Sequence, residues 1–188
     1  MHEKSRRARR RTSVLVAAAG LGVLATTVVT TPSSAAPAKA GHGPYYYIIA
    51  GHSGRSLMAE TRWTPDGPGV LQAGGNDASH HWRVLNWGHA VVLVNRHTGL
   101  CATVPLGDDR RVRQERCDTG VLIRERATWR VESPRALWAG RYQHFRSYYN
   151  GDCMDVYGKS RRKFKIVQHF PCHGDWNQRF RLVRVPGT

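Results

Sequence analysis

A threefold internal repeat is the feature that most limits how this chain can fold. Each copy ends in an aromatic residue, an arginine and an aliphatic residue, namely Trp82-Arg83-Val84, Trp129-Arg130-Val131 and Phe180-Arg181-Leu182. A glycine lies 28, 30 and 29 residues before these aromatic residues, at Gly54, Gly99 and Gly151. Because unrelated segments rarely keep such constant spacing, the sequence predicts one structural unit repeated three times.

The apolar residues within each copy occur in short runs, for example at positions 47–50, 91–94 and 164–167. Glycine, asparagine, aspartate and proline bound these runs, which is typical of short strands joined by turns. No segment keeps a 3.6-residue apolar period over three turns, although residues 121–129 can also be interpreted as one helical stretch. Three copies closed around an axis would bury their apolar faces and leave no exposed strand edge. We therefore expect an all-β domain.

The amino terminus has the features of a signal peptide. Six positive charges between Lys4 and Arg11 precede an uncharged stretch at 14–31, and small residues follow at 34–40. This order predicts a signal peptide and a disordered start over residues 1–40, cleavage near 36–40, and a secreted, extracellular product. A transmembrane anchor is the alternative, but glycine and several threonines make the stretch weakly hydrophobic for a stable span. Arg6-Arg7 resembles a twin-arginine signal, but the apolar residue expected soon after such a pair is not well placed. The sequence therefore does not fix the export route.

Charge and apolar content limit the kind of protein that residues 41–188 form. These 148 residues contain 22 basic and 12 acidic side chains, a net charge of about +10, whereas the whole chain carries +16. Hydrophobic residues make up 40% of the chain, which is too many for a wholly disordered polycation. The sequence contains no second long apolar run. We expect a folded mature domain without a membrane span.

The four cysteines fit the register of the repeat. Four thiols allow three pairings, and pairing Cys101 with Cys117 and Cys153 with Cys172 places each bridge inside one repeat at equivalent positions. Oxidising conditions outside the cytoplasm favour disulfides, and each should stabilise the domain by about 3 kcal/mol in the chain-entropy model. A zinc site is the alternative, but the sequence lacks the closely spaced ligand pairs that such a site needs. The first repeat has Ser56 in place of the first cysteine.

Three segments of the third copy carry a specific resemblance. They are Gly151-Asp152-Cys153-Met154-Asp155-Val156, Val167-Gln168-His169-Phe170-Pro171-Cys172 and Asn177-Gln178-Arg179-Phe180. Together they resemble one repeat of a ricin B-type lectin domain, in which each repeat ends in a Gln-x-Trp motif. The resemblance implies a β-trefoil over residues 41–188, with repeats at about 44–87, 88–134 and 135–186. His80 and Ala127 depart from the family pattern, because they stand at the glutamine position of the first two repeats.

The resemblance also implies a sugar site in the third repeat. The family positions fall on Asp155, Gln168, Phe170, Asn177 and Gln178. This set suits a sugar because a carboxylate accepts hydrogen bonds from neighbouring hydroxyls, amides both donate and accept, and an aromatic ring covers the apolar face. The other repeats lack the aspartate and the aromatic residue and have Met58 with Ala73 and Thr103 with Glu115. We therefore expect one working site per chain.

A basic segment separates the two halves of this predicted site. Lys159-Ser160-Arg161-Arg162-Lys163-Phe164-Lys165 carries five positive charges and would favour anionic glycans. Charge alone would also attract nucleic-acid phosphates, but no motif supports a specific nucleic-acid partner. His169 and His173 have a spacing that suits a metal only on a helix, and Pro171 argues against a helix there. We expect no metal and no cofactor.

The sequence favours a binding protein over an enzyme. It contains no G-x-S-x-G, H-E-x-x-H or phosphate-binding glycine loop, and the three repeats account for nearly all of residues 41–188. We expect a stand-alone secreted lectin that binds a galactose-type or anionic glycan at one site. The alternative is a degenerate cationic trefoil that binds anionic polymers or a protein partner through charge. The sequence does not fix the oligomeric state.

Overall fold

Short strands form the framework of the folded chain. This computed structural model describes residues 43–62, 67–117 and 121–188, apart from the side chains of residues 121–123. The predicted signal peptide at 1–40 lies outside these ranges. The strands are β1 (Tyr45–Ala50), β2 (Ser56–Ala59), β3 (Val70–Ala73), β4 (Trp82–Trp87), β5 (Ala90–Asn95), β6 (Cys101–Thr103), β7 (Arg113–Glu115), β8 (Thr128–Arg130), β9 (Gln143–His144), β10 (Arg146–Ser147), β11 (Cys153–Val156), β12 (Lys165–Phe170) and β13 (Arg179–Arg184).

Besides three 3₁₀ turns at Ala78–His80, Tyr157–Lys159 and Trp176–Gln178, two short α-helices interrupt the described strands. They are α1 (Val121–Ala127) and α2 (Pro134–Trp138). Helix α1 falls within residues 121–129, the segment whose sequence can also be interpreted as one helical stretch. The second is too short for an apolar period to reveal it, but Ser133 caps it through a hydrogen bond from the Ala136 amide, and Pro134 begins it. Within the described ranges, neither helix has the length and apolar content that a membrane crossing requires.

Antiparallel pairs close a ring of strands. β1 pairs with β4, β4 with β5, β5 with β8, and β8 with β10. β9 and β10 flank the buried Phe145, and β9 pairs with β13, which returns to β1. Closure leaves the backbone groups of the ring paired around its circumference, which removes exposed edges. The predicted all-β architecture is confirmed.

A hairpin projects from the ring in each repeat. The hairpins consist of β2 with β3, β6 with β7, and β11 with β12. Their registers are equivalent, because Met58 lies opposite Leu71 just as Asp155 lies opposite Gln168. Both predicted disulfides are present, Cys101–Cys117 in the second repeat and Cys153–Cys172 in the third.

The aromatic residues of the three terminal triplets form the centre of the core. Trp82, Trp129 and Phe180 are completely buried. The indole nitrogen of Trp82 donates to the Leu57 carbonyl at 3.1 Å, and that of Trp129 donates to the Ala102 carbonyl at 3.0 Å. The two acceptors occupy equivalent positions in their repeats. The repeated sequence pattern therefore corresponds to a repeated buried hydrogen bond, and phenylalanine in the third copy fills the same space without a donor.

Candidate functional site

Asp155 is the centre of a polar cluster in the third repeat. It lies on β11 directly opposite Gln168 on β12, and the Gln168 amide nitrogen donates to Asp155 Oδ1 at 3.0 Å. Asn177 and Gln178, in the turn before β13, donate to Asp155 Oδ2 at 2.8 and 3.0 Å. Three of the five residues predicted from the sequence are thus hydrogen bonded to the carboxylate of a fourth, Asp155.

The Asp155 carboxylate is enclosed by the groups that bind it. The residue is only 2% exposed. Its Oδ2 also accepts a hydrogen bond from His173 Nε2 at 3.2 Å, so this oxygen has three donors, whereas Oδ1 has only Gln168. A carboxylate has about four lone-pair positions, and Oδ1 therefore keeps capacity for a further donor. The His173 imidazole, whose side chain is 32% exposed, lies against the other oxygen, Oδ2.

His173 is the residue of this cluster that sequence reasoning missed. The sequence drew attention to it only as a doubtful metal ligand. His169, the other half of that pair, bonds instead to Asp152 Oδ2 at 2.8 Å and to the Asp109 carbonyl at 3.1 Å. The described residues contain no group of three or more potential ligands that could hold a metal ion.

Asn177 leaves an unfilled acceptor at the site. Its amide nitrogen donates to Asp155 Oδ2 and, at 3.2 Å, to the Val156 carbonyl, which fixes the orientation of the amide. Its Oδ1 is buried and has no hydrogen-bond partner among the described residues. Buried polar atoms are nearly always satisfied, so an exception calls for an explanation. A ligand hydroxyl is a donor that would satisfy this oxygen once the side chains over it move aside.

Phe170, the fifth predicted residue, is partly buried on the same face of the hairpin. It lies opposite Cys153, two residues from Asp155 along β11. Its ring contacts the His173 ring, with centroids 6.1 Å apart, and the Arg110 guanidinium lies 5.2 Å from its centroid. The structure therefore places the ring beside the polar cluster, with a cation from the second repeat over it.

The equivalent positions of the second repeat are filled by an internal ion pair. Thr103 and Glu115 replace the aspartate and the aromatic residue, and the Thr103 hydroxyl donates to Glu115 at 3.2 Å. Arg126, at the position of Asn177, forms a salt bridge with Glu115 and donates to the Val104 carbonyl at 2.6 Å. These groups satisfy one another, which leaves few polar atoms for a ligand.

The first repeat has lost the polar cluster altogether. Met58 and Ala73 stand at the aspartate and aromatic positions. His80, at the glutamine position, is instead hydrogen bonded to Ser56, with 2.8 Å between His80 Nδ1 and the hydroxyl oxygen. Of the described repeats, the third alone keeps a carboxylate ringed by amide donors.

Solved structures share this architecture. A designed threefold-symmetric protein, ThreeFoil, superimposes with a TM-score of 0.62 and 26% identity, over 74% of this chain and 97% of that protein. The described domain is a β-trefoil. The C-terminal half of an earthworm R-type lectin, solved with GalNAc, matches this trefoil with a TM-score of 0.56 and 14% identity, over 76% of this chain and 99% of the lectin half.

An enzyme is also among the structural neighbours of the trefoil. An exo-β-1,3-galactanase from Clostridium thermocellum matches with a TM-score of 0.64 and 20% identity, over 77% of this chain but only 31% of the enzyme. No protein-family model and no curated protein matches the chain. The β-trefoil shared with the solved lectins confirms the resemblance to ricin B-type lectin domains at the level of the fold.

Proposed function

We propose that this trefoil is a secreted, extracellular lectin with one carbohydrate site, formed by Asp155, Gln168, Phe170, Asn177 and Gln178. The observation that carries the proposal is the buried Asn177 Oδ1, an acceptor without a partner among the described residues, next to a braced carboxylate. The fold shared with lectins supports the same conclusion. Binding alone would need no catalytic group.

In this proposal, the side chains of the cluster have different roles in binding the sugar. One sugar hydroxyl donates to Asn177 Oδ1 and a neighbouring hydroxyl to Asp155 Oδ1. Gln178 holds the carboxylate in place, because it also donates to the Pro171 carbonyl at 3.1 Å and accepts from the His173 amide at 2.9 Å. Since His173 covers the carboxylate, its imidazole moves aside when the sugar enters, and the sugar's apolar face packs against Phe170.

A second candidate function is binding of anionic polymers through charge. The observation that favours it is the loop between β11 and β12, in which Arg161, Arg162 and Lys163 are all exposed. Such binding needs no pocket, and salt screens it strongly. We give it second place because charge alone does not account for the buried carboxylate and its amide donors.

The test of the proposed site is a substitution in the carboxylate. Because an amide nitrogen at this position would face the Asn177 and Gln178 donors, Asp155→Asn should weaken binding of a galactose-terminated glycan by at least about tenfold. Isothermal titration measures this loss from a wild-type affinity in the millimolar range, or about −4 kcal/mol. Unfolding curves identify any loss that results from instability.

Two further variants make this test decisive. Asp108→Asn removes the same charge from an exposed position and should leave the affinity unchanged. Phe170→Ala removes the apolar contact from a partly exposed position and should weaken binding without disturbing the carboxylate. Full retention of affinity by folded Asp155→Asn and Phe170→Ala proteins would overturn the proposed site.

A further inference from the structure

A cavity adjoins the polar cluster on the side of the first repeat. It has a volume of about 250 Å³ and is lined by His52, Lys159, Arg161, Asp175, Trp176 and Asn177. Only Asn177 belongs to the site predicted from the sequence. The other residues come from the turn after β1, the basic loop after β11 and the turn before β13.

Two buried acceptors at this cavity lack donors. His52 Nε2 lies 2.9 Å from the Ser160 carbonyl, so this nitrogen carries the proton, and in the neutral ring Nδ1 is an acceptor. His52 Nδ1 and Asn177 Oδ1 are both buried and have no partner within the described part of the chain. Two such acceptors favour a ligand that donates several hydrogen bonds, as the hydroxyls of a sugar do.

Trp176 provides an aromatic surface at the same cavity. The residue is 56% exposed, so much of its indole is open to solvent. It is held in place, because the Tyr142 ring packs edge-on against it with centroids 5.2 Å apart. A Cβ on Gly51 would lie only 2.7 Å from Trp176 Cε3, so the indole rests directly on the backbone of that glycine. A rigid, exposed aromatic face of this kind binds apolar ligand faces at little entropic cost.

One positive charge in the cavity is uncompensated. Lys159 is paired with Asp175 at 2.6 Å, and the hydrogen bond from Lys159 holds the pKa of the Asp175 carboxyl below its usual value. The guanidinium of Arg161 has no ion-pair partner among the described residues, although the Arg161 carbonyl accepts a hydrogen bond from Arg55. The cavity therefore favours a ligand with a negative charge.

We propose that this cavity binds a hexuronate residue of an acidic oligosaccharide. Its hydroxyls donate to His52 Nδ1 and to the lone pair of Asn177 Oδ1 that the sugar at the Asp155 cluster leaves free. Its apolar face packs on Trp176, and its carboxylate pairs with Arg161. The inference rests on the proposed function, because the two positions share Asn177 and so bind consecutive residues of one glycan. The cavity makes the binding site specific for acidic glycans, which the Asp155 cluster alone does not do.

The first test is a titration of the ¹⁵N-labelled protein with an oligogalacturonate trimer. The indole N–H resonance of Trp176, assigned by its loss in Trp176→Phe, should shift on binding. The indole resonances of Trp87 and Trp138, which are 57% and 39% exposed, are internal controls and should stay in place. A stationary Trp176 resonance, or equal shifts of all three, would overturn the inference.

The second test compares the acidic trimer with its carboxyl-reduced, neutral counterpart. Wild type should bind the acidic form about fivefold more tightly, the size expected for a partly exposed charged contact. Arg161→Gln should reduce this ratio to about one. Lys163→Gln removes an equal charge from the same loop without lining the cavity and should keep the ratio. Equal effects of the two variants would show that only the general charge of the loop matters and would overturn the inference.

Asp155→Asn separates this inference from the proposed function. If Asp155→Asn abolishes binding of both trimers while Arg161→Gln leaves the wild-type ratio unchanged, the inference fails and the proposed site stands. If Asp155→Asn has no effect while Trp176 and Arg161 respond as expected, the proposed site fails and the cavity stands alone. The absence of any response overturns both.

Discussion

At the residue scale, the sequence identifies the polar cluster but not the group that covers it. The resemblance to a ricin B-type repeat implied Asp155, Gln168, Asn177 and Gln178, and the structure brings these side chains together. The contact of His173 with Asp155 depends on how the chain turns after Cys172. No spacing rule fixes that turn, so the covering of the carboxylate could not be predicted.

His80 makes the stability of the domain depend on pH. It is 3% exposed, and burial lowers the pKa of its imidazole below the ordinary value of 6.5. The pKa of His80 is lower in the folded protein than in the unfolded chain, so at pH values between the two the unfolded chain binds more protons. The free energy of unfolding therefore falls as the pH falls below 6.5. The slope is at most about 1.4 kcal/mol per pH unit for one group. His80→Gln should flatten the decline in the free energy of unfolding between about pH 7 and about pH 5.

Urea unfolding at several pH values measures this effect. His97→Gln, at an exposed position, is the matched control and should leave the pH dependence as in the wild type. His81 retains its own contribution in both variants, because burial also lowers its pKa. An unchanged slope in His80→Gln would contradict the assignment of this pH dependence to His80.

At the element scale, the disulfides were predictable because each joins equivalent positions of the repeat. Helix α2 was not, because five residues are too few to display an apolar period, and its capping serine and proline are equally typical of turns. The bridge Cys153–Cys172 begins at β11 and closes just after β12, two residues from Asp155 on one side and from Phe170 on the other.

The two disulfides should therefore contribute equally to stability but unequally to binding. They close loops of similar length, with separations of 16 and 19 residues, so replacing either pair by serine should cost about 3 kcal/mol. Replacing Cys153 and Cys172 should also weaken glycan binding, because it loosens the hairpin that positions the carboxylate. Replacing Cys101 and Cys117 should leave affinity nearly unchanged in protein that remains folded. Equal losses of affinity in both double variants would contradict a site confined to the third repeat.

At the scale of the whole molecule, the repeat spacing predicted a closed all-β domain of three units, and the resemblance to a ricin B-type repeat implied the β-trefoil. The three repeats keep the core positions, as the complete burial of Trp82, Trp129 and Phe180 shows, but they differ at the surface. The cavity beside Trp176 could not be predicted, because it joins the first repeat to the third across a distance that no local pattern encodes.

The net charge of about +10 on residues 41–188 sets the expected salt dependence. A galactose-type ligand carries no charge for salt to screen, so its affinity should change by less than about twofold between low and high salt. An acidic glycan should lose several-fold affinity over the same range, which titration at the two ionic strengths measures. Collapse of neutral-sugar binding at high salt would favour the charge-driven alternative over the lectin.

The central claim, that the Asp155 cluster binds sugar and the equivalent positions of the other two repeats do not, is tested most directly by ¹⁵N spectra recorded during a galactose titration. We expect saturable shifts of the side-chain amide resonances of Asn177 and Gln168. Both amides donate to the Asp155 carboxylate, which the sugar contacts, and Asn177 also contacts the sugar itself. The side-chain amide of Gln114 in the second repeat, which bonds to the Gly69 carbonyl, should not shift. Shifts confined to the first two repeats, or none at saturating sugar, would contradict the account.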